Sequence, residues 1–283
     1  MDLYRWTSLF RNYDLNLRHN RLILVLSLIA AVAVAGGKAV SGNNEWPDLF
    51  LIAFTAGATV FSAGALSKEI YPDYPQMSLA AAVICLAGAW FTQPVSLVIL
   101  FWLIGCLRVL NRSTGLAPKL TDVAVLGLIA AWLVWHISPL FGLLTGSILW
   151  LDALLPDGQK YNRLIGWAIL LLTIVYTIGW GELTSPAPPN GWLVAAVLIV
   201  TVAFIPVMLH SYDLQATGDA TGAPLNPTRV QAEQLASLAT GLVLTSWLGV
   251  DGAILLVALW AAILVVSVHQ LSRLYGRGVT VTA

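Results

Sequence analysis

The sequence predicts an all-α, polytopic integral membrane protein, and three observations predict it. Charged residues make up 10% of the 283, against the ~25% of a soluble domain, while 58% are hydrophobic. Mean hydropathy is +0.82. The apolar residues arrive in runs close to the ~20 that carry a helix across a bilayer, and with short connections a chain of this length holds about ten of them and no separate soluble domain. Lys and Arg also gather at alternate ends of those runs, the charge bias of a membrane topology. A water-soluble globule is excluded on these grounds.

Cutting the runs where Pro, Gly, Asn and charge cluster gives spans near 21–40, 48–66, 76–92, 94–110, 122–137, 139–155, 163–181, 191–209, 230–249 and 252–271. The first is too long for the apolar region of a cleaved leader and reads as a retained span. The second concentrates small residues, Ala53, Ala56, Gly57, Ala58, Ser62, Ala63 and Gly64, with Ala53 and Gly57 at the small-xxx-small spacing that lets helix backbones approach. The ninth repeats the theme with Ala236, Ser237, Thr240 and Gly241. Between the fifth and sixth lie His136, Ser138 and Pro139. The stretch from Asp122 to Leu155 is long for one crossing and short for two with a real loop, so two spans joined by a tight turn are expected; the count is nine if it crosses once.

Orientation follows from the charges. With the N-terminus inside, every one of the 14 Lys and Arg residues except Lys38 falls on the inner side, so both termini are expected in the cytoplasm. Of the acidic residues, Glu45, Asp48, Glu182 and Asp251 lie outside and the rest inside. Outer connections read as short turns at Thr92-Gln93-Pro94 and Gly249-Val250-Asp251-Gly252, with longer segments around Asn43-Asn44 and Ser185-Pro186-Ala187-Pro188-Pro189. Polar chemistry therefore belongs to the cytoplasmic face. A net charge of zero with no basic run argues against nucleic acid as a partner.

Residues 1–283 read as a single transmembrane domain. Residues 1–20 mix Tyr4, Trp6, Leu9, Phe10, Tyr13 and Leu17 with basic and amide positions, which suits an amphipathic helix lying in the inner interface. Most of the 12 tryptophans sit near span ends, at headgroup level. Trp102, Trp167 and Trp260 are deeper; they can line a cavity or bind a pigment, and packing explains them equally well. Cys85 and Cys106 have no second ligand at metal spacing and read as inert core thiols.

Four inner loops carry the charge. Carboxylates in pairs at a membrane mouth, faced by Arg and Lys, suit a lipid diphosphate: they hold Mg²⁺, the metal bridges phosphate oxygens, and the cations neutralise the remaining charge. Glu69 with Asp73 and Asp152 with Asp157 are the candidate metal pairs; Arg112, Lys119 and Lys160 are the candidate diphosphate-binding residues. The other reading is that inner loops collect charge by the positive-inside rule and solvation alone.

Along the chain an Arg-containing interfacial segment and an apolar pair with a small-residue second helix precede an acidic inner loop. Then comes Asn111-Arg112-Ser113-Thr114-Gly115-Leu116-Ala117-Pro118, leading into Val125-Leu126-Gly127-Leu128. Over about residues 1–165 this order resembles the UbiA-type intramembrane prenyltransferases. The resemblance implies transfer of a prenyl group from a Mg²⁺-bound prenyl diphosphate. Glu69 and Asp73 would then stand for the first aspartate-rich motif, Asp152 and Asp157 for the second, and Arg112 for the basic loop.

Two further readings come from other features. His210 and His269 fall at the inner ends of spans eight and ten, and two histidines at equal depth on neighbouring helices can ligate a haem in a redox subunit. Short loops, many Trp and small-residue faces also suit a non-catalytic subunit packed against other membrane subunits and lipids, in contact with quinone, haem or pigment. Transport is disfavoured, because no charged residue lies at the middle of a span.

Overall fold

A computed structural model describes residues 4, 6–9, 13–41, 45–91, 95–180, 186–188 and 190–280, with side chains described as far as Tyr275 in the last helix and as far as Gly88 in the third. It is all-helical, at 79% helix, with no strand among the described residues. The helices are α1 (Arg18–Val40), α2 (Trp46–Ile70), α3 (Met77–Phe91), α4 (Leu97–Asn111), α5 (Leu120–His136), α6 (Leu140–Leu154), α7 (Lys160–Gly179), α8 (Gly191–His210), α9 (Pro227–Leu255) and α10 (Val257–Thr280).

Each helix overlaps one of the predicted spans, α3 and α6 lying within theirs, and most of the others extend further at the end that carries charge. Hydropathy marks where a helix leaves the hydrocarbon, whereas its backbone hydrogen bonds run on into the interface. Six helices are long and apolar enough to cross a membrane: Arg18–Val40, Trp46–Ile70, Lys160–Gly179, Gly191–Asp213 (α8 with the 3₁₀ turn after it), Pro227–Leu255 and Val257–Tyr275. Helices α3 to α6 are apolar but shorter. The pair around Pro139 is two helices joined through Ile137–Pro139, with Ser138 Oγ accepting from the Leu140 amide at 3.3 Å. The expected turn at Gly249 is a break inside α9, where Gly249 has φ 63 and ψ −134 and the helix resumes to Leu255. The expected outer connections at Thr92-Gln93-Pro94 and Asn43-Asn44, and Ser185 and Pro189 of the other, lie outside the described residues.

The chain divides into two compact units. The first comprises residues 1–12, 101–188 and 211–248, and the second residues 13–100, 189–210 and 249–283. In the second unit α2 packs on α1 and α3 through its small residues. A Cβ on Gly57 would lie 2.9 Å from the Ser27 carbonyl oxygen, and one on Gly64 would lie 3.1 Å from Ile23 and 3.2 Å from the Ser78 carbonyl. In the first unit α6 and α7 cross at Gly146 and Gly166, and the fully buried Trp102 donates its indole N–H to Thr145 Oγ1 at 2.7 Å while packing edge-on against Phe141. Trp167 is half exposed, and Cys85 and Cys106 are buried free thiols.

In the N-terminal segment the described residues Trp6–Leu9 are not helical, while residues 1–3, 5 and 10–12 of the expected interfacial helix lie outside the described residues. The segment's carbonyls are taken by side chains of the α4–α5 region: Leu9 O by Arg108 at 2.7 Å, Ser8 O by Thr114 at 2.8 Å, Trp6 O by Thr121 at 3.2 Å and Tyr4 O by Lys119. Ser8 in turn donates its amide and hydroxyl to Asp122 Oδ2, at 3.0 and 2.7 Å. Trp6–Leu9 thus run as an irregular strap, because their backbone acceptors are satisfied from outside. Among the described residues, the first α-helix begins at Arg18.

Candidate functional site

At one end of the first unit, the termini of four helices bring polar residues together. Asp152 closes α6 and is fully buried. Its Oδ1 accepts from Arg229 Nη1 at 2.8 Å and from Arg112 Nη2 at 3.3 Å. Its Oδ2 accepts from Asn162 Nδ2 at 2.7 Å and the Gln159 amide at 3.5 Å. An isolated carboxylate is costly to bury, and this one is matched by four donors, two of them cationic.

The two arginines are held differently. Arg229 lies in the first turn of α9, where Asn226 Oδ1 accepts from the Thr228 and Arg229 amides and starts the helix. Its Nη1 also reaches Leu110 O at 2.9 Å and its Nε reaches Pro156 O at 2.8 Å, so one side chain ties together the ends of α4, α6 and α9. Arg112 follows α4 directly, in the left-handed region at φ 51, and its Nη2 also donates to Asp157 O at 2.8 Å. Asp157 is left-handed too, at φ 58. Such backbone is disfavoured by ~1–3 kcal/mol per residue and persists where the surroundings enforce it. Here the Arg112–Asp157 bond joins the two strained positions.

Two guanidinium groups share one buried carboxylate. Burial, and then the charge of Arg229, push the Arg112 guanidinium below its usual range, while Asp152 and then Asp157 oppose both. The donors are in surplus. Among the described residues, Arg112 Nε and Arg229 Nη2 are buried without a hydrogen-bond partner, as are Ser113 Oγ and Asn162 Oδ1. Orphaned N–H groups on buried cations each cost ~1–3 kcal/mol or more unless something accepts from them. An anion with several oxygens is the acceptor that guanidinium geometry fits.

The floor beneath this cluster is made of interlocked loops. Asp219 and Ala220 donate their amides to the carbonyls of Ser113 and Thr114 at 3.1 and 3.0 Å. Gly115, at φ 80, and Gly218 meet with no room for a side chain, since a Cβ on Gly218 would lie 2.7 Å from the Gly115 Cα. The loop after α8 is therefore built onto the loop after α4.

Of the residues singled out from sequence, the structure brings Arg112, Asp152 and Asp157 together. Lys119 is turned to the N-terminal strap, with its Nζ on Tyr4 O and its amide on Asp122, and Lys160 is exposed at the start of α7. Glu69 and Asp73 belong to the second unit, where Glu69 is buried near the end of α2 and Asp73 is half-buried in the turn that follows. Among the described residues, no three His, Cys, Asp or Glu side chains converge on one point. With the lone pairs of Asp152 facing N–H donors, a divalent cation would have to displace an arginine to reach it.

His210 is exposed, with its Nδ1 2.9 Å from Pro206 O. His269 packs on Tyr74 and Tyr71, with ring centroids 4.9 and 6.0 Å away. Tyr71 donates to Gln270 Oε1 at 2.6 Å, and Arg273 lies 4.5 Å over the Tyr74 ring.

Sequence reasoning missed Arg229, Asn162 and Glu233. Arg229 read as one more positive-inside residue; the signal that sets it apart is its place after Asn226-Pro227, which forces it into a helical first turn. Glu233 lies one turn further along α9, fully buried, accepting from Ser237 at 3.0 Å. No family model matches the chain, and no curated protein and no solved structure matches it either.

Proposed function

We propose that this chain is an integral membrane protein of about ten spans with both termini in the cytoplasm, and that it binds the diphosphate end of a prenyl diphosphate at Arg112, Asp152 and Arg229. One observation carries the reading: two buried guanidinium groups share a single carboxylate and keep N–H donors that nothing among the described residues accepts. A phosphate-bearing headgroup supplies the missing acceptors and pairs with guanidinium geometry. The surrounding helices supply an apolar environment for a hydrocarbon tail. In this reading Asp152 orients the arginines rather than holding a metal, and the guanidinium pair stabilises charge that builds on a departing diphosphate.

The test is thermal melting of the detergent-purified chain with geranylgeranyl diphosphate, inorganic diphosphate or geranylgeraniol, each with Mg²⁺ and with chelator. A ligand at 100 times its dissociation constant stabilises by ~2.7 kcal/mol, enough to move the melting temperature visibly. Both diphosphates should raise it in chelator, the lipid one more, and the alcohol should not. A shift that appears only with Mg²⁺ would return the carboxylates to the role of metal ligands. No shift under any condition would leave the cluster as a structural tie and favour a non-catalytic membrane subunit.

A further inference from the structure

In the second unit a cavity of about 300 Å³ opens between α3, α8, α10 and the last turn of α9, at the size where small-molecule sites begin. Small residues line the space: Gly88 on α3, Ala196 on α8, Ala253 on α9 and Ala261 on α10. Gly88 also brings α3 close to α10, since a Cβ there would lie 3.2 Å from Val257 Cγ2, while the alanines of α8, α9 and α10 line the space beside that contact. Among the residues that line it, Trp260 alone carries a side-chain polar atom. A buried water requires two to four polar partners, which this lining does not supply, so water is a poor occupant.

The helices around the cavity say what fills it instead. α8 has the highest mean hydropathy of the six candidate spans, 2.7, and its Leu198, Ile199 and Val202 are more than half exposed. Ala196, in the cavity wall, is itself exposed, so the cavity is not sealed from the surroundings of that helix. In a bilayer those surroundings are hydrocarbon, and an unsealed apolar space beside them takes up hydrocarbon rather than standing empty. We infer that this cavity holds one acyl chain of a bilayer phospholipid as a resident ligand, seated against Val257, Trp260 and Ala261. This rests on the membrane reading and is independent of the anion cluster.

The test reconstitutes the full chain in vesicles of a phosphatidylcholine carrying a diazirine midway along one acyl chain, followed by photolysis and mapping of adducts by mass spectrometry. Adducts are expected at Val257–Leu264 of α10 as well as on the outward Leu198 and Val202 of α8. Ala196→Phe fills the cavity from its exposed wall. It should abolish the α10 adducts and leave those on Leu198 and Val202 in place; Ala196→Leu serves if the larger side chain prevents folding. Adducts on α8 with none on α10, or α10 adducts unchanged in both variants, would overturn the proposal while leaving the chain in the membrane. Adducts on neither helix would overturn the membrane reading with it.

Discussion

Arg229 and Arg112 meet on the same oxygen of Asp152, at 2.8 and 3.3 Å, and the difference in distance matches a difference in role. Arg229 is 3% exposed at its side chain and also donates to two backbone carbonyls, so it is built into the fold. Replacing it with Gln leaves Asp152 buried with its main counter-charge gone, which should cost about 3–5 kcal/mol. Thermal and denaturant unfolding of R229Q in detergent would measure this. A loss below about 1 kcal/mol would mean that Arg229 does not hold these helix ends together.

Arg112 makes the longer bond and its guanidinium is depressed by burial and by Arg229, so its interactions within the chain are the more readily exchanged. R112Q is expected to reduce stability less than R229Q, and to remove the melting shift produced by inorganic diphosphate in chelator. R112K keeps the charge but loses the planar fork, and should restore only part of the shift. If R112Q responds to diphosphate as the parent does, the anion does not sit on Arg112.

The fold was legible because hydropathy and helix punctuation agree along nearly the whole chain. Pro139 and Gly249 each interrupt an apolar stretch, and the structure breaks its helices at both. Helix starts were less legible: Arg18, Lys160 and Pro227-Thr228-Arg229 are polar, so a reading based on hydrocarbon burial stops short of them although the helices include them. Within the site, Arg112, Lys119 and Lys160 look alike in sequence. What separates them is tertiary: one meets a buried carboxylate, one meets the N-terminal strap, and one points to solvent. Arg229 joins the cluster from 77 residues beyond Asp152, a separation no local pattern encodes.

Tyr13 offers a pH-dependent signal at the start of the second unit. Its hydroxyl donates to Asn20 O at 2.8 Å, and burial pushes the phenol up to about 12. The folded chain therefore favours the neutral phenol. That contribution to stability is whole below the unfolded value of ~10 and is lost as pH rises from there through about 12. The difference in 295 nm absorbance between the parent and Y13F, followed against pH, should show one tyrosine ionising near the top of that window; ionisation near 10 would mean that Tyr13 is not held as described.

The crossing of α6 and α7 depends on two glycines and allows a sharp contrast. A Cβ on Gly166 would lie 2.7 Å from the Gly146 carbonyl oxygen and 2.9 Å from the Trp150 amide nitrogen, and one on Gly146 would lie 2.9 Å from the Gly166 carbonyl oxygen. These are backbone atoms, so neither substitution is relieved by a rotamer change; the helices must separate. Overpacking of this kind costs about 1–3 kcal/mol. Gly127 on α5 meets only Ile169 Cδ1, at 3.6 Å, which is ordinary contact. G166A and G146A should therefore lower the melting temperature, whereas G127A should leave it unchanged or raise it through the better helix propensity of Ala, worth up to ~1 kcal/mol. Because Asp152 and Asn162 sit on these same two helices, G166A should also weaken the diphosphate-induced shift. A G166A protein as stable as G127A would show that α6 and α7 do not approach as closely as their glycines permit.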